Sequence, residues 1–269
     1  MKVLKNIADL KSAINRVSDL GFVPTMGGLH KGHISLIKES QKKCKVTLVS
    51  IYINPKQFNK SNDFLTYPRN LHKDVKVLKK LKVNLLFLPK TREVFKKDYK
   101  TNMLFKNQKI LCAKFRKGHF EGVLDVMEQF IKLINPKYIF MGEKDYQQLF
   151  LVKSLVYKKY NSKVFCCKTI RDKNFVALST RNFLLNKKKL LTAGLIAKNL
   201  YRFKSKLKKI KNVNRYILIK KEELVSKVSI KIEYLEVLNE SDLKKYKYKS
   251  KFKLFIAYYL DKIRLIDNF

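Results

Sequence analysis

Over the first 170 residues the apolar positions switch repeatedly between two periods. GFVPTMG at 21–27 reads as a short strand, and HISLIKESQKKC after it spaces its apolar residues as a helix does. VTLVSIYI at 46–53 is an unbroken run rich in β-branched residues, the pattern of a strand buried on both faces. NLHKDVKVLKKL predicts a helix and NLLFLP a strand. An irregular, basic stretch follows at 90–117. GVLDVMEQFIKLI then predicts a helix, KYIFMG a strand, DYQQLFLVKSLVYKK a helix and KVFCCKTI a strand. Strand–helix–strand alternation with short connections predicts an α/β fold, a parallel sheet with helices on both faces. Ligands of such sheets sit beyond the carboxyl ends of the strands, so the residues that follow each strand are the ones to inspect for chemistry.

After about residue 170 the pattern changes. NKKKLLTAGLIAKNLYRFKSKL predicts a long helix, and SIKIEYLEVL and KLFIAYYL alternate as half-buried strands do. This predicts a smaller C-terminal α+β domain at 170–269 after a first domain at 1–169. No Pro/Gly-rich linker marks the join.

Composition changes this picture little. The 269 residues, 46% of them hydrophobic, suit one large or two smaller packed domains. The formal charge of +40, from 61 Lys+Arg against 21 Asp+Glu, favours phosphorylated ligands, nucleic acid or anionic lipid. Lys, Asn, Ile, Phe and Tyr are all plentiful while Gly and Trp are scarce, the skew of an AT-rich coding sequence, and the lysines are spread along the chain. A generally basic solvated surface is therefore the reading adopted, with no specific nucleic-acid partner. Cys44, Cys112, Cys166 and Cys167 form no C-x-x-C pair, and Cys166 and Cys167, adjacent in a strand, point to opposite faces. Reduced thiols, no signal-like N-terminus and no apolar run of membrane length predict a cytoplasmic protein without a membrane partner.

The chemistry starts at TMGGLHKGH. Gly27 and Gly28 let the backbone approach a ligand, and a helix N-terminus after them offers N–H groups and a positive dipole end to a phosphate. His30 and His33 lie three apart, on one face of the first turn. Two imidazoles there donate hydrogen bonds to phosphate oxygens without a fixed full charge, and bind more tightly as charge builds on the phosphate. The plain alternative is a capped helix with two surface histidines; a metal reading lacks a third ligand. Asn54 and Gln57 fall at the carboxyl end of the buried strand, where a Gln offers both donor and acceptor to a hydroxy acid, although a capping loop explains them as well. In MGEKDYQQ, Gly142 permits close approach and Lys144 places an ammonium on a phosphate. Asp145 orients Lys144 or holds a ribose hydroxyl, and Gln148 lies one turn later on the same face; alone, a Lys–Asp pair is more often a surface ion pair. Ser179, Thr180 and Arg181 in ALSTRN offer two hydroxyls and a guanidinium to a triphosphate, or an N-cap to the next helix, a role that suits Asn182. Arg116 and His119 in FRKGHF are lesser phosphate candidates, and His72 reads as surface.

HKGH resembles the H-x-G-H signature of the nucleotidyltransferase superfamily, and VPTMGGLHKGHISLI is similar to the pantoate–beta-alanine ligase (pantothenate synthetase) family. VSIYINPKQFN, YPRNL, GHFEGV with FMGEKDYQQL, and ALSTRN agree in family order, and the resemblance extends to DKIRLIDN near the end. It implies a Rossmann-like first domain with the smaller domain covering the site. The implied reaction uses ATP and Mg2+ to condense pantoate with beta-alanine through a pantoyl adenylate, releasing pyrophosphate and AMP, in a homodimer. It implies His33 and His30 as catalytic donors, with Lys144 and Arg181. For ATP it implies Met26, Gly27, Gly28, Leu29, His30, Lys31, Gly32, His33, Gly142, Glu143, Lys144, Asp145, Ile170, Leu178, Ser179, Thr180 and Arg181. For pantoate and beta-alanine it implies Gln57, Gln148 and Asn54, with no protein metal ligand. Tyr67, Pro68 and Arg69 would belong to a flap or subunit contact, the flap spanning 58–72.

Three departures stand against the family pattern. Cys112, in ILCAK, takes the place of a Glu before the G-H-F motif. Asn174, Phe175, Val176 and Ala177 replace D-G-L-A, so Phe175 removes a permissive glycine, while Thr180 keeps the hydroxyl of the second Ser of its motif. The stretch 90–117 is short and very basic. Two other functions compete: a cytidylyl- or adenylyltransferase that keeps H-x-G-H but makes a nucleotide conjugate, and a nucleic-acid-binding protein that uses the +40 charge. The latter lacks regularly interleaved aromatics on a basic strand face.

Overall fold

The computed structural model of the chain describes residues 1–59, 61–95, 101–104 and 108–269. It divides into two compact units, 1–168 and 169–269.

The first unit is built on six parallel strands: β1 (Lys2–Leu4), β2 (Leu20–Thr25), β3 (Val46–Ile51), β4 (Leu85–Phe87), β5 (Tyr138–Gly142) and β6 (Lys163–Cys167), in the order β1-β4-β3-β2-β5-β6. Its helices are α1 (Ile7–Ile14), α2 (Lys31–Lys43), α3 (Ser61–Leu65), α4 (Leu71–Lys80), α5 (Thr91–Val94), α6 (Cys112–Phe115), α7 (His119–Ile134) and α8 (Tyr146–Lys159). From β2 the chain steps through β3 to β4 in one direction, then returns to β5 on the other side of β2 and goes on to β6. Right-handed crossovers taken in opposite directions put their helices on opposite faces. So α2 and α4 cover one face, and α7, with α1 and α8 packed against it, covers the other. Neighbouring strand residues serve the two faces. Val23, Val49 and Leu86 join Leu36, Ile37 and Leu78 beneath α2 and α4. Phe22, Tyr52 and Phe87 set their rings edge-on to Phe130 of α7.

The order reverses between β2 and β5, which makes their carboxyl ends the switch point where open α/β sheets bind ligands. The stretch expected to be irregular at 90–117 contains the one-turn helices α5 and α6; its residues 96–100 and 105–107 lie outside the described ones. Asn102 is fastened to α7 by its backbone N–H to Asp125 (2.7 Å) and its amide to Glu128 (2.7 Å).

The second unit is α+β. It comprises α9 (Lys187–Leu207), α10 (Val213–Lys227) and an antiparallel sheet of β7 (Lys231–Asn239), β8 (Phe252–Leu260) and β9 (Ile263–Asn268) in that order. Leu200, Leu207, Leu224, Leu254 and Ile256 centre its core. Arg171 grips Asp267 through two hydrogen bonds of 2.7 and 2.9 Å and also donates to the Asn268 carbonyl.

Candidate active site

β2 ends at Thr25, and the chain then turns through two left-handed residues, Gly27 (φ 76°) and Gly28 (φ 62°). Side chains strain this conformation, and a Cβ on Gly27 would sit 3.0 Å from Asp74 Oδ2. Thr25 Oγ1 donates to the Ser50 carbonyl (2.7 Å) and accepts from Gly27 N–H (3.2 Å), fixing the start of the turn. Asp74 of α4 fixes its end: Oδ2 accepts from Gly28 N–H and Oδ1 from Leu29 N–H, both at 2.8 Å. Leu29 itself is a core residue, Met26 is half-buried and Lys31 is exposed.

The two histidines cap the helix they begin. His30, extended at φ −134°, is the N-cap of α2; its Nδ1 accepts from Gly32 N–H (3.0 Å), and His33 Nδ1 accepts from His30 N–H (3.3 Å). The rings lie 4.1 Å apart. A ring nitrogen that accepts an N–H cannot carry the proton, so each neutral imidazole is protonated on Nε2. Burial depresses both: His30 falls to about 4, with the Lys144 charge adding to the effect and Asp145 opposing it, and His33 falls to about 3, with His30 and Lys144 adding. At neutral pH both are uncharged Nε2–H donors. Capping and donation, which compete in the sequence reading, use opposite sides of one ring.

Across the switch point, β5 ends at Gly142 and a 3-10 turn, Glu143–Asp145, leads into α8. A Cβ on Gly142 would meet nothing within 4 Å, so the strand end faces open space. Lys144 Nζ stands 3.4 Å from Asp145 Oδ1, with Lys144 largely covered and Asp145 about half-exposed. Gln148 is half-buried one turn into α8, and among the described residues its amide has no protein partner. Its neighbour Gln147 is instead buried and donates to the Gln108 and Ile110 carbonyls.

Gln57 ends a 3-10 turn, Pro55–Gln57, beyond β3. Asn54 begins that turn and is 1% exposed. Its Oδ1 accepts from Lys56 N–H (3.2 Å) and its Nδ2 donates to the Gly122 carbonyl (2.9 Å), so this expected substrate contact is occupied within the protein. Arg116 and His119, read as lesser phosphate candidates, also serve the turn. Arg116 donates to the Gln57 carbonyl (3.1 Å) and lies 3.0 Å from His119 Nε2, which leaves His119 Nδ1–H to donate to the same carbonyl (2.7 Å). Gln57 keeps its own amide clear of the protein among the described residues. Farther along, Phe58, Phe64 and Tyr67 stack edge to face, with the Arg69 guanidinium over Phe64, within the stretch expected to form a flap. Lys60 lies outside the described residues. His72 is exposed, as expected.

In the second unit, Leu178 N–H donates to the Ile170 carbonyl (2.9 Å), closing a loop whose tip is Phe175. Phe175 has φ 76°, which explains why a glycine suits that place in the family pattern. The strained residue is held by Arg171, whose guanidinium lies 4.7 Å from the ring and donates to the Phe175 carbonyl, and by the Tyr201 ring. Ser179 Oγ accepts from Arg181 N–H and caps the turn Thr180–Leu184; Thr180 is buried. Asn182, expected to cap the next helix, donates to the Ala177 carbonyl instead, and Asn186 caps α9. Cys112 is buried at the start of α6.

Asp74 escaped the sequence reading. Its signal was an acid four residues before Leu78, in phase with the buried side of α4.

Comparison with known proteins agrees over the full length. The family model described as pantoate-beta-alanine ligase matches residues 2–269. A pantothenate synthetase of Pseudothermotoga lettingae is 36% identical, covering 100% of this chain and 98% of the relative. One of Francisella tularensis subsp. novicida is 35% identical over 99% of this chain and 95% of its own. A crystal structure of pantothenate synthetase from Thermus thermophilus superposes with a TM-score of 0.91 at 28% identity, covering 100% and 99% of the two chains. A pantoate-beta-alanine ligase from Francisella tularensis, complexed with beta-gamma ATP and beta-alanine, gives 0.84 at 35% identity, covering 100% and 97%.

Proposed function

The chain belongs to the pantoate–beta-alanine ligase family, and we propose that the switch-point residues described above carry its reaction. The enzyme condenses pantoate with beta-alanine using ATP. The pantoate carboxylate attacks the α-phosphate and pyrophosphate leaves. The beta-alanine amine then attacks the carbonyl of the pantoyl adenylate, and AMP leaves. One observation carries the assignment of roles: reciprocal capping makes both imidazoles neutral Nε2–H donors beside Lys144.

His33 and His30 donate from Nε2 to the phosphate oxygens that gain charge in the transfer. Lys144 supplies the fixed positive charge, and Asp145 holds its ammonium. The clear amides of Gln57 and Gln148 hold pantoate in line, where positioning supplies much of the rate. We assign Asn54, Arg116 and His119 to shaping the Gln57 turn, because their side chains are spent on it. For the second unit the assignment of Ser179, Thr180 and Arg181 to the triphosphate rests on the resemblance. Mg2+ would enter with ATP and offset the charge of its phosphates. Among the described residues no helix is long and apolar enough to cross a membrane. A homodimer in the cytoplasm completes the proposal.

The test is pyrophosphate release from ATP by purified protein. Pantoate alone gives a burst, and adding beta-alanine gives steady formation of AMP and pantothenate. Turnover that does not require beta-alanine, or a stable nucleotide conjugate as product, refutes the assignment.

A further inference from the structure

We propose that Asp74 is a positioning residue for the ATP half of the site, acting through His30 and His33. Asp74 is 3% exposed, in a chain with 61 Lys+Arg, yet among the described residues no cation pairs with it. Its carboxylate is instead forked over two consecutive backbone N–H groups, Gly28 and Leu29, each at 2.8 Å. Successive N–H groups of a turn that converge on one anion form a nest, and here the protein fills it with its own anion.

Two consequences follow from that fork. It locks the backbone one residue before His30, and so sets the extended entry from which His30 Nδ1 reaches Gly32 N–H and His30 N–H reaches His33 Nδ1. The Nε2 direction of both rings depends on that entry. It also commits the N–H groups of Gly28 and Leu29, residues that the family resemblance implies as ATP contacts. The phosphate then meets imidazole donors and not loop amides. The Gln57 turn beyond β3 is held by separate partners, Asn54, Arg116 and His119, so Asp74 should bear on ATP and leave pantoate untouched.

The inference rests on the active-site reading above, and the experiment separates the two. ATP binding by calorimetry, without pantoate or beta-alanine, is measured for the wild type and Asp74→Asn, followed by steady-state kinetics of both. Asparagine keeps the size but presents an N–H donor to one of the two amides, so one bond is lost. ATP affinity falls at least tenfold, kcat for pyrophosphate release falls about 100-fold, the scale of a small misplacement of a catalytic group, and the pantoate KM stays within twofold. Thr47→Val breaks the buried hydroxyl pair between Ser40 of α2 and Thr47 of β3; it lowers the melting temperature without moving the ATP constants. ATP constants within twofold of wild type in Asp74→Asn, or equal losses for both substrates, overturn the inference. If the wild type binds ATP but makes no pantothenate, the functional reading fails while the ATP-binding comparison still judges Asp74. Should Asp74→Asn not fold, amide hydrogen exchange of the wild type decides. Gly28 and Leu29 exchange slowly if the carboxylate holds them, and exchange at the rate of open loop amides overturns the inference.

Discussion

His30 and His33 stay neutral because protonating Nδ1 of either ring would break a cap, and because both half-buried rings are desolvated beside an ammonium. Their pKa values drop from 6.5 to about 4 and about 3, so between these values and 6.5 the unfolded chain binds more protons than the folded one. Stability from this source is complete above 6.5 and is lost as pH falls through about 4 and then about 3. The same shift sets the activity profile. Between pH 6 and 8 neither ring titrates, so kcat for pantoate-dependent pyrophosphate release shows no inflection near 6.5 that disappears in His33→Ala; finding one would contradict neutral donors. His33→Ala itself lowers kcat by about 100- to 1,000-fold, the usual effect of removing one donor to a transition-state oxygen. Its folding stability falls only by the loss of one cap, about 1 kcal/mol. H-x-G-H stood out in the sequence as a candidate phosphate site because two imidazoles at a helix start are unusual. The tautomer was not, because it depends on which backbone N–H each Nδ1 meets.

Elements with a long, clean period were legible: α2, α4, α7, α8, α9 and the buried strands all lie where the pattern places them. The misses have physical causes. β1 has three residues, and α3, α5 and α6 are too short to show a period. α10 leaves Tyr216, Leu218, Ile219 and Val225 exposed around its circumference, so it lacks an apolar stripe. β9 is visible in the sequence only as a family motif and not as a strand. At this scale the informative contact is between α7 and the Pro55–Gln57 turn. A Cβ on Gly122 would lie 2.5 Å from the Lys56 carbonyl oxygen, and backbone there cannot give way cheaply. Gly122→Ala therefore displaces the turn that carries Gln57. Stability falls by about 1–3 kcal/mol, as overpacking does, and the pantoate KM rises at least threefold while the ATP KM holds. Steady-state kinetics with each substrate varied check this, and an unchanged pantoate KM would detach Gln57 from pantoate.

The charge of +40 belongs to the whole molecule, since the lysines are spread along the chain and pair with few acids. A net field of that size draws in anionic substrates and is screened by salt. Raising NaCl from about 50 to about 500 mM should lower kcat/KM for ATP several-fold, mainly through KM, while kcat at saturation changes little. A salt-independent kcat/KM would leave the charge without a part in substrate capture. Periodicity by itself determined the parallel sheet, the change of pattern near residue 170 and the strand ends at which candidate residues were sought, because burial imposes one period on each element wherever it lies. The motifs determined the family. Only the tertiary structure decided that Asp74, 46 residues beyond Gly28, holds the glycine turn, that Asn54, Arg116 and His119 spend themselves on the Gln57 turn, and that Phe175 occupies a left-handed position with Arg171 and Tyr201 around it. Hydrogen-bond partners distant in the chain leave no period in it, and one polar side chain looks the same in sequence whether it meets a substrate or a carbonyl.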